Sequence, residues 1–289
     1  IYDQQQRAFD PGSFVTNTLN IASRSASTNF FFSLNNTDQD GIVALARGYQ
    51  RQSVRANIDH KISNKIKLSV SNYYMQSTQN DIPAGNPFYS LLFMPPDVDI
   101  FDPNEEDGSL YNWNVGEPAS LERNPLYMLA NQNVFDDTER FTGNYSLSYD
   151  IAPFLKAEGA YSMDRRQTSR EYYIDKGYLS DDVSGVADGY LYYSSGKNTY
   201  QTASAKLTFN KKFGKTNVVA QTFYLYEDED YTGFSVAGYD FRFQGLKTLN
   251  NSFKTTPSSA DEVPENRTSG GSSTYQIRSE NIYLTGAID

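Results

Sequence analysis

Apolar and polar residues alternate with a period of two along much of the chain. Val54, Ala56, Ile58, His60 and Ile62 form a largely apolar series, and the residues between them, Arg55, Asn57, Asp59 and Lys61, are polar or charged. After Ser63-Asn64-Lys65 the pattern resumes, with Ile66, Leu68 and Val70 set against Lys67, Ser69 and Ser71. Successive side chains of a strand point to opposite faces, so this predicts a hairpin with one apolar and one polar face. A second hairpin follows from Phe141, Gly143, Tyr145, Leu147 and Tyr149, then Leu155, Ala157, Gly159, Tyr161 and Met163 beyond the Ala152-Pro153 turn. Extended along the chain, the same criterion predicts strands at 15–23, 28–38, 49–62, 66–78, 139–151, 155–168, 200–210, 217–230 and 276–289.

The predicted connections alternate strictly between short and long. Outer-membrane barrels have short periplasmic turns and long extracellular loops, whereas a soluble sandwich has no reason to sort its loops by end. Several predicted strands also reach the 9–11 residues or so that a tilted transmembrane strand requires. The fold class expected is therefore all-β, an antiparallel up-and-down transmembrane β-barrel. Nine strands is an odd number and the last one runs to Asp289, so 1–289 reads as one partial barrel domain of a larger barrel. The absence of a signal peptide at Ile1 fits a processed or truncated chain.

Composition agrees with this picture. Aromatic residues make up 15%, with 23 Tyr and 18 Phe, yet the hydrophobic fraction is only 38% and the mean hydropathy is -0.62. No run approaches the 20 or so apolar residues of a membrane-spanning helix, while a barrel strand turns only every second residue to lipid. With no Cys and with His60 as the single histidine, thiol chemistry is excluded and an imidazole metal site nearly so. A net charge of -10 argues against nucleic acid as a partner. No credible Ser/His/Asp arrangement or phosphate-binding glycine loop is present, so the chain is expected not to be an enzyme.

Several short motifs occur in an informative order. Asp40-Gly41-Ile42-Val43 leads into Tyr49-Gln50-Arg51-Gln52-Ser53-Val54-Arg55-Ala56-Asn57-Ile58-Asp59-His60, followed by Asn86-Pro87-Phe88, Pro95-Pro96, Asn124-Pro125-Leu126-Tyr127 and Arg140-Phe141-Thr142-Gly143-Asn144. From about Phe30 to Asp289 the sequence resembles the barrel of the SusC/RagA-type TonB-dependent transporters of Bacteroidetes. That resemblance implies a segment of a plugged barrel of about 22 strands that imports glycans or peptides across the outer membrane. It also implies energisation by the TonB-ExbB-ExbD system and a SusD-like surface lipoprotein acting as a lid. The plug and the Ton box lie outside these residues. The alternative function is an extracellular β-rich glycan-binding or adhesive module, and a β-rich glycoside hydrolase is a third.

Candidate site residues follow from this reading. Arg55, Asn57, Asp59, Lys67, Glu158 and Asp164 are expected to line the lumen, with Ile58, Leu68, Val70, Leu147 and Leu155 facing lipid. The stretch 79–138, taken as a long extracellular loop, holds eleven acidic residues against Arg123 alone, so its net -10 equals that of the whole chain. Such a loop is commonly just a solvated surface, or it docks a partner. The spacing of Asp102, Asn104, Glu106 and Gly108 has some character of a Ca²⁺ loop without its full pattern. Trp113 is either a ligand contact or a local anchor for the loop. Tyr172, Tyr173, Tyr178, Tyr190, Tyr192 and Tyr193, assigned to a second loop, suit contact with sugar rings or peptide side chains and equally suit an aromatic girdle or ordinary interface.

Overall fold

The computed structural model describes residues 1–45, 48–82, 87–104, 108, 110–113, 124–179, 188–254, 265–266 and 268–288. Nine strands form one antiparallel sheet: β1 (Phe14–Arg24), β2 (Thr28–Gln39), β3 (Gly48–Lys61), β4 (Ile66–Asn80), β5 (Gln132–Ala152), β6 (Leu155–Ile174), β7 (Tyr190–Phe213), β8 (Thr216–Tyr239) and β11 (Thr268–Ile288). They pair in chain order, and β1 and β11 are the two edges. A two-residue pairing of β9 (Phe253–Lys254) with β10 (Glu265–Asn266) lies in the last connection. Three short helices, α1 (Gln4–Ala8), α2 (Pro87–Phe93) and α3 (Pro125–Asn131), sit at the long-connection end of the sheet.

The register divides the side chains into two faces. One rung of the ladder runs Phe30, Ile58, Val70, Tyr145, Tyr161, Ala203, Tyr226 and then Glu280, and another runs Ile66, Tyr149, Ala157, Leu207, Thr222 and Leu284. The opposite face carries Asn57, Ser71, Asn144, Ser162, Thr202, Glu227 and Ser279 on one rung. Large side chains on the apolar face are uncovered, with Ile282 72%, Leu284 77% and Ile288 75% exposed. No second sheet covers that face among the described residues, so it does not have the packing of a sandwich.

The apolar band crosses the ladder obliquely. Its outer edge is Leu34, Val54, Tyr74 and Phe141 on a single rung, but that rung continues as Arg165, Thr199, Asp230 and Gln276. The edge instead steps down through Met163, Ala203 and Tyr226 to Ile282, six residues from Gln276 along β11. Six residues amount to about 20 Å of descent, against about 19 Å across the four interstrand steps from β5 or about 38 Å across the eight from β1. A level band of lipid therefore needs strands tilted on the order of 30–45°, the inclination of strands in membrane barrels.

The strands run well past the band on the long-connection side, and here the structure corrects the sequence reading. The connection taken as 79–138 is shorter, because β4 continues to Asn80 and β5 begins at Gln132. Asp136 and Asp137 are thus strand residues opposite Gln79 and Thr78, and Thr78 Oγ1 donates to the Asp137 carboxylate at 2.5 Å. Tyr172 and Tyr173 belong to β6, and Tyr190, Tyr192 and Tyr193 to β7; of that tyrosine set only Tyr178 is in a connection. Beyond the apolar band neither face of a strand is uniformly apolar, so alternation stops marking it although backbone pairing continues.

Replacing Leu147, in the middle of the band, by Arg is expected to cost about 2–4 kcal/mol, and Gln76→Arg, outside it, about 0–1 kcal/mol. Denaturant unfolding of the full-length protein in lipid vesicles measures both. Equal costs would show that the band does not face lipid.

Candidate functional site

The connection between β4 and β5 has a core of its own. Leu91, Met94, Ile100, Tyr111 and Leu126 are buried together with Ala8 of α1 and Ala44 of the β2–β3 connection. α1 is tied down by Gln4, whose Nε2 donates to the carbonyls of Pro95 and Val98, each at 2.8 Å. The Arg7 guanidinium lies 2.7 Å from the Asp99 carboxylate and stacks over the rings of Tyr2 and Phe101. Partial burial works against the Asp99 charge, but the Phe101 N–H and Arg7 together hold its carboxyl below the usual range.

Asn124 organises this core. It is 1% exposed, caps α3 by accepting from the Leu126 N–H at 3.0 Å, and donates from Nδ2 to the carbonyls of Ile100 (2.8 Å) and Asn112 (2.9 Å). Pro125 then occupies the first turn, where its missing N–H costs nothing. The next two residues face different ways: Leu126 enters the first core, and Tyr127 enters an aromatic cluster with Tyr178 and Ile174. Trp113 meets Tyr127 edge-on at 5.2 Å and Tyr178 at 6.3 Å, and the Leu179 N–H donates to the Tyr127 hydroxyl at 2.9 Å. The motif Asn124-Pro125-Leu126-Tyr127 thereby ties the β4–β5 connection to the β6–β7 connection.

The aromatic cluster continues down the polar face of the sheet. Tyr172 donates to Gln132 Oε1 and Gln132 Nε2 donates to the Tyr178 hydroxyl, both at 2.7 Å. Ring contacts run from Tyr172 to Tyr190 at 5.5 Å and from Tyr190 to Tyr239 at 5.1 Å. Burial pushes the hydroxyls of Tyr178 and Tyr190 up to about 12. Tyr173 and Tyr193 point to the other face, where Tyr173 stacks on Phe241 at 6.1 Å beneath Lys247. The structure thus gathers Trp113, Tyr172, Tyr178 and Tyr190, sets Tyr192 just below them, and separates Tyr173 and Tyr193.

The register puts Arg55, Asn57, Asp59, Lys67, Glu158 and Asp164 on one face, the polar one. Arg55 lies over the Tyr73 ring at 5.2 Å, and Ser71 donates to Asn57 at 2.8 Å. Glu158 accepts from Lys156 at 2.6 Å with Lys206 3.5 Å away, and Arg140 holds Asp164 through both of its oxygens. In the acidic connection, the Asp102 carbonyl accepts from the Asn112 N–H at 2.7 Å and the buried Asn104 accepts from Gly108 at 2.8 Å. Glu106 lies outside the described residues, and no three acidic or histidine side chains converge among the described ones.

Three residues that organise this end were not predicted as site residues: Asn124, Tyr127 and Arg170. The Asn-Pro pair is a helix-start signal that marked the first, but nothing in the sequence places Arg170 beside Asp81 and Asp136.

No family model matches the sequence, and no curated protein matches it. Solved structures do share the fold. The chain superimposes over 100% of its length on the RagAB peptide importer in its closed-closed state, with a TM-score of 0.70 at 15% identity, and over 98% on the open-open state, with a TM-score of 0.68 at 14% identity. It spans 31% of the length of each of those chains.

Asn124→Ala is expected to destabilise the β4–β5 connection locally by about 1–3 kcal/mol, because two buried carbonyls lose their donor. Hydrogen exchange should accelerate across 100–112 and 126–131 while β5 to β8 remain protected. Uniform protection throughout would remove Asn124 from this role.

Proposed function

We propose that this chain is part of the wall of an outer-membrane importer for a large nutrient, a peptide or a glycan, with its apolar face in lipid and its polar face lining the lumen. The observation that carries this is the obliquely crossing apolar band on one face, opposite a face that carries the charged side chains, on a sheet whose fold is that of an importer's barrel wall. In this reading Arg55, Asn57, Asp59, Lys67, Glu158 and Asp164 line the passage, and the joined connections at the α-helical end face the outside. The non-enzymatic reading agrees with the transport function named for the chains that share the fold.

A surface lipoprotein acting as a lid and energy supplied through TonB complete the proposal. What supports a partner on the outer end is the exposed apolar surface of α2, where Tyr89 is 56%, Leu92 66% and Phe93 57% exposed although the helix stands beyond the lipid band. Patches of this kind in water mark interaction surfaces. Charge is a weaker candidate for the contact than composition suggests, because Asp99 is neutralised by Arg7, and Asp81 and Asp136 share Arg170.

In cells, the full-length protein is expected to fractionate with the outer membrane, to need detergent for extraction and to co-purify a surface lipoprotein. Replacing Tyr89, Leu92 and Phe93 together by Ser should lower lipoprotein recovery about tenfold, roughly the 1.4 kcal/mol or more that a buried apolar anchor contributes. Release of the native protein by salt alone, with no detergent, would contradict the import reading and favour the extracellular binding module.

A further inference from the structure

Directly below the tyrosines, the polar face of β5 to β8 and β11 hollows into a concavity of about 510 Å³. Its floor is nearly bare backbone: Gly196 of β7 lies opposite Gly233 of β8, and a Cβ on Gly233 would stand 2.5 Å from the Tyr231 hydroxyl. Tyr192 stands above the floor, and Tyr231 lies across it with its ring stacked on Tyr275 at 5.2 Å. Asp136 and Arg170, paired across β5 and β6, stand at one side. Gly196 is seven residues from Ala203, where the apolar band ends on β7, so the hollow opens about 23 Å outside the lipid edge along the strand.

The charges here are incompletely matched. Arg170 lies 3.6 Å from the Asp136 carboxylate and 3.4 Å from that of Asp81, both longer than the roughly 2.7–2.9 Å of a well-made charge-assisted bond. One guanidinium is shared loosely between two carboxylates, which leaves negative charge in excess. Burial pushes the Asp136 carboxyl up, with Asp81 and Asp137 adding to the shift and Arg170 opposing it. Further down β8, Glu227 and Glu229 accept from Tyr200, Asn198, Tyr275 and Ser279, all neutral donors.

We propose that this concavity binds the ammonium or guanidinium group of a basic side chain on an extended peptide, with Asp136 as its counter-ion. The inference rests on the reading of the polar face as the importer's lumen. Because Arg170 is drawn also to Asp81 beyond the lining, the Asp136 carboxylate in the hollow is left under-matched and rewards a cation, and a neutral sugar brings none. On the floor itself the Tyr231 ring is engaged by Tyr275 on one side and lies against the glycines, so it offers a sugar ring no open face there.

The test uses the full-length transporter, purified with its partner in detergent, and three labelled synthetic peptides, Ala-Lys-Ala, Ala-Ala-Ala and Ala-Glu-Ala, with a neutral glucose oligosaccharide as the fourth probe. The lysine peptide should bind tightest, and Asp136→Asn should weaken it about tenfold, the loss expected for a hydrogen bond to a charged group. Asp136→Glu should restore part of it, and Gly233→Leu should block it. Because the Asp136 carboxyl lies above the ordinary range, binding should fall away on acidification at a higher pH than an ordinary aspartate would give, with Arg170 and Asp81 the charged groups beside it and Asp137, on the opposite face of β5, adding to the shift. Resistance of the barrel to unfolding in dodecyl sulfate at room temperature checks that each variant is folded. Equal affinity for the three peptides, a preference for the glutamate peptide that Arg170→Gln removes, or tight oligosaccharide binding blocked by Gly233→Leu would each overturn the assignment. Import that persists with no dependence of peptide binding on Asp136 sinks the site and leaves the import reading standing. Asp136-dependent binding in a protein that imports nothing does the reverse.

Discussion

Backbone hydrogen bonding is the constraint on which this structure depends, most of all in the lipid setting proposed for it. Each unpaired N–H or C=O in hydrocarbon costs several kcal/mol, so a chain that crosses lipid as strands pairs every residue with a neighbour. The ladder from β1 to β11 does so over strands of 11 to 24 residues, save along the outer sides of its two edge strands, and among the described residues only Asp150/Ala152 on β5 breaks the register. Once the register is set, the period of two assigns every side chain to a face, and a slip by one residue would exchange the lipid-facing and polar sets completely. Tilt, the height of the apolar band and the placement of charged pairs such as Arg140 with Asp164 all follow from that single choice.

The outer end is held by other means. Past the apolar band no alternation sorts the two faces, and the chain supplies a small packed core instead. Asn124 satisfies carbonyls from two distant turns, and the adjacent Leu126 and Tyr127 insert into separate apolar clusters. A stretch that its net charge of -10 marks as solvent-loving is therefore built around Ile100, Tyr111 and Leu126, with Asp99 turned to Arg7 and Asp81 and Asp136 to Arg170. Charge composition describes the outside of such a connection, and burial of a few apolar residues decides its shape.

This division explains what was legible in the sequence. Strands are readable where one face carries the apolar band, so Val54 to Ile62 and Phe141 to Tyr149 show clean alternation. They are unreadable from Ser169 to Ile174, from Tyr190 to Thr199 and from Gln132 to Thr138, beyond the apolar band. The polar-face set from Arg55 to Asp164 follows from the same alternation. The grouping of Trp113 with Tyr127, Tyr178, Tyr172 and Tyr190, and the meeting of Arg170 with Asp81 and Asp136, depend on contacts between residues far apart in the chain, which local pattern does not encode.

The most direct test of the two-faced wall is a spin-label scan of consecutive positions on β8 and β11, from Thr222 to Tyr226 and from Glu280 to Leu284, in the full-length protein reconstituted in vesicles. Collision with oxygen, which concentrates in lipid, should peak at Thr222, Tyr224, Tyr226, Ile282 and Leu284, and should be low at Phe223, Leu225 and Tyr283. Accessibility to oxygen that shows no period of two, or one with the opposite phase, would contradict the account.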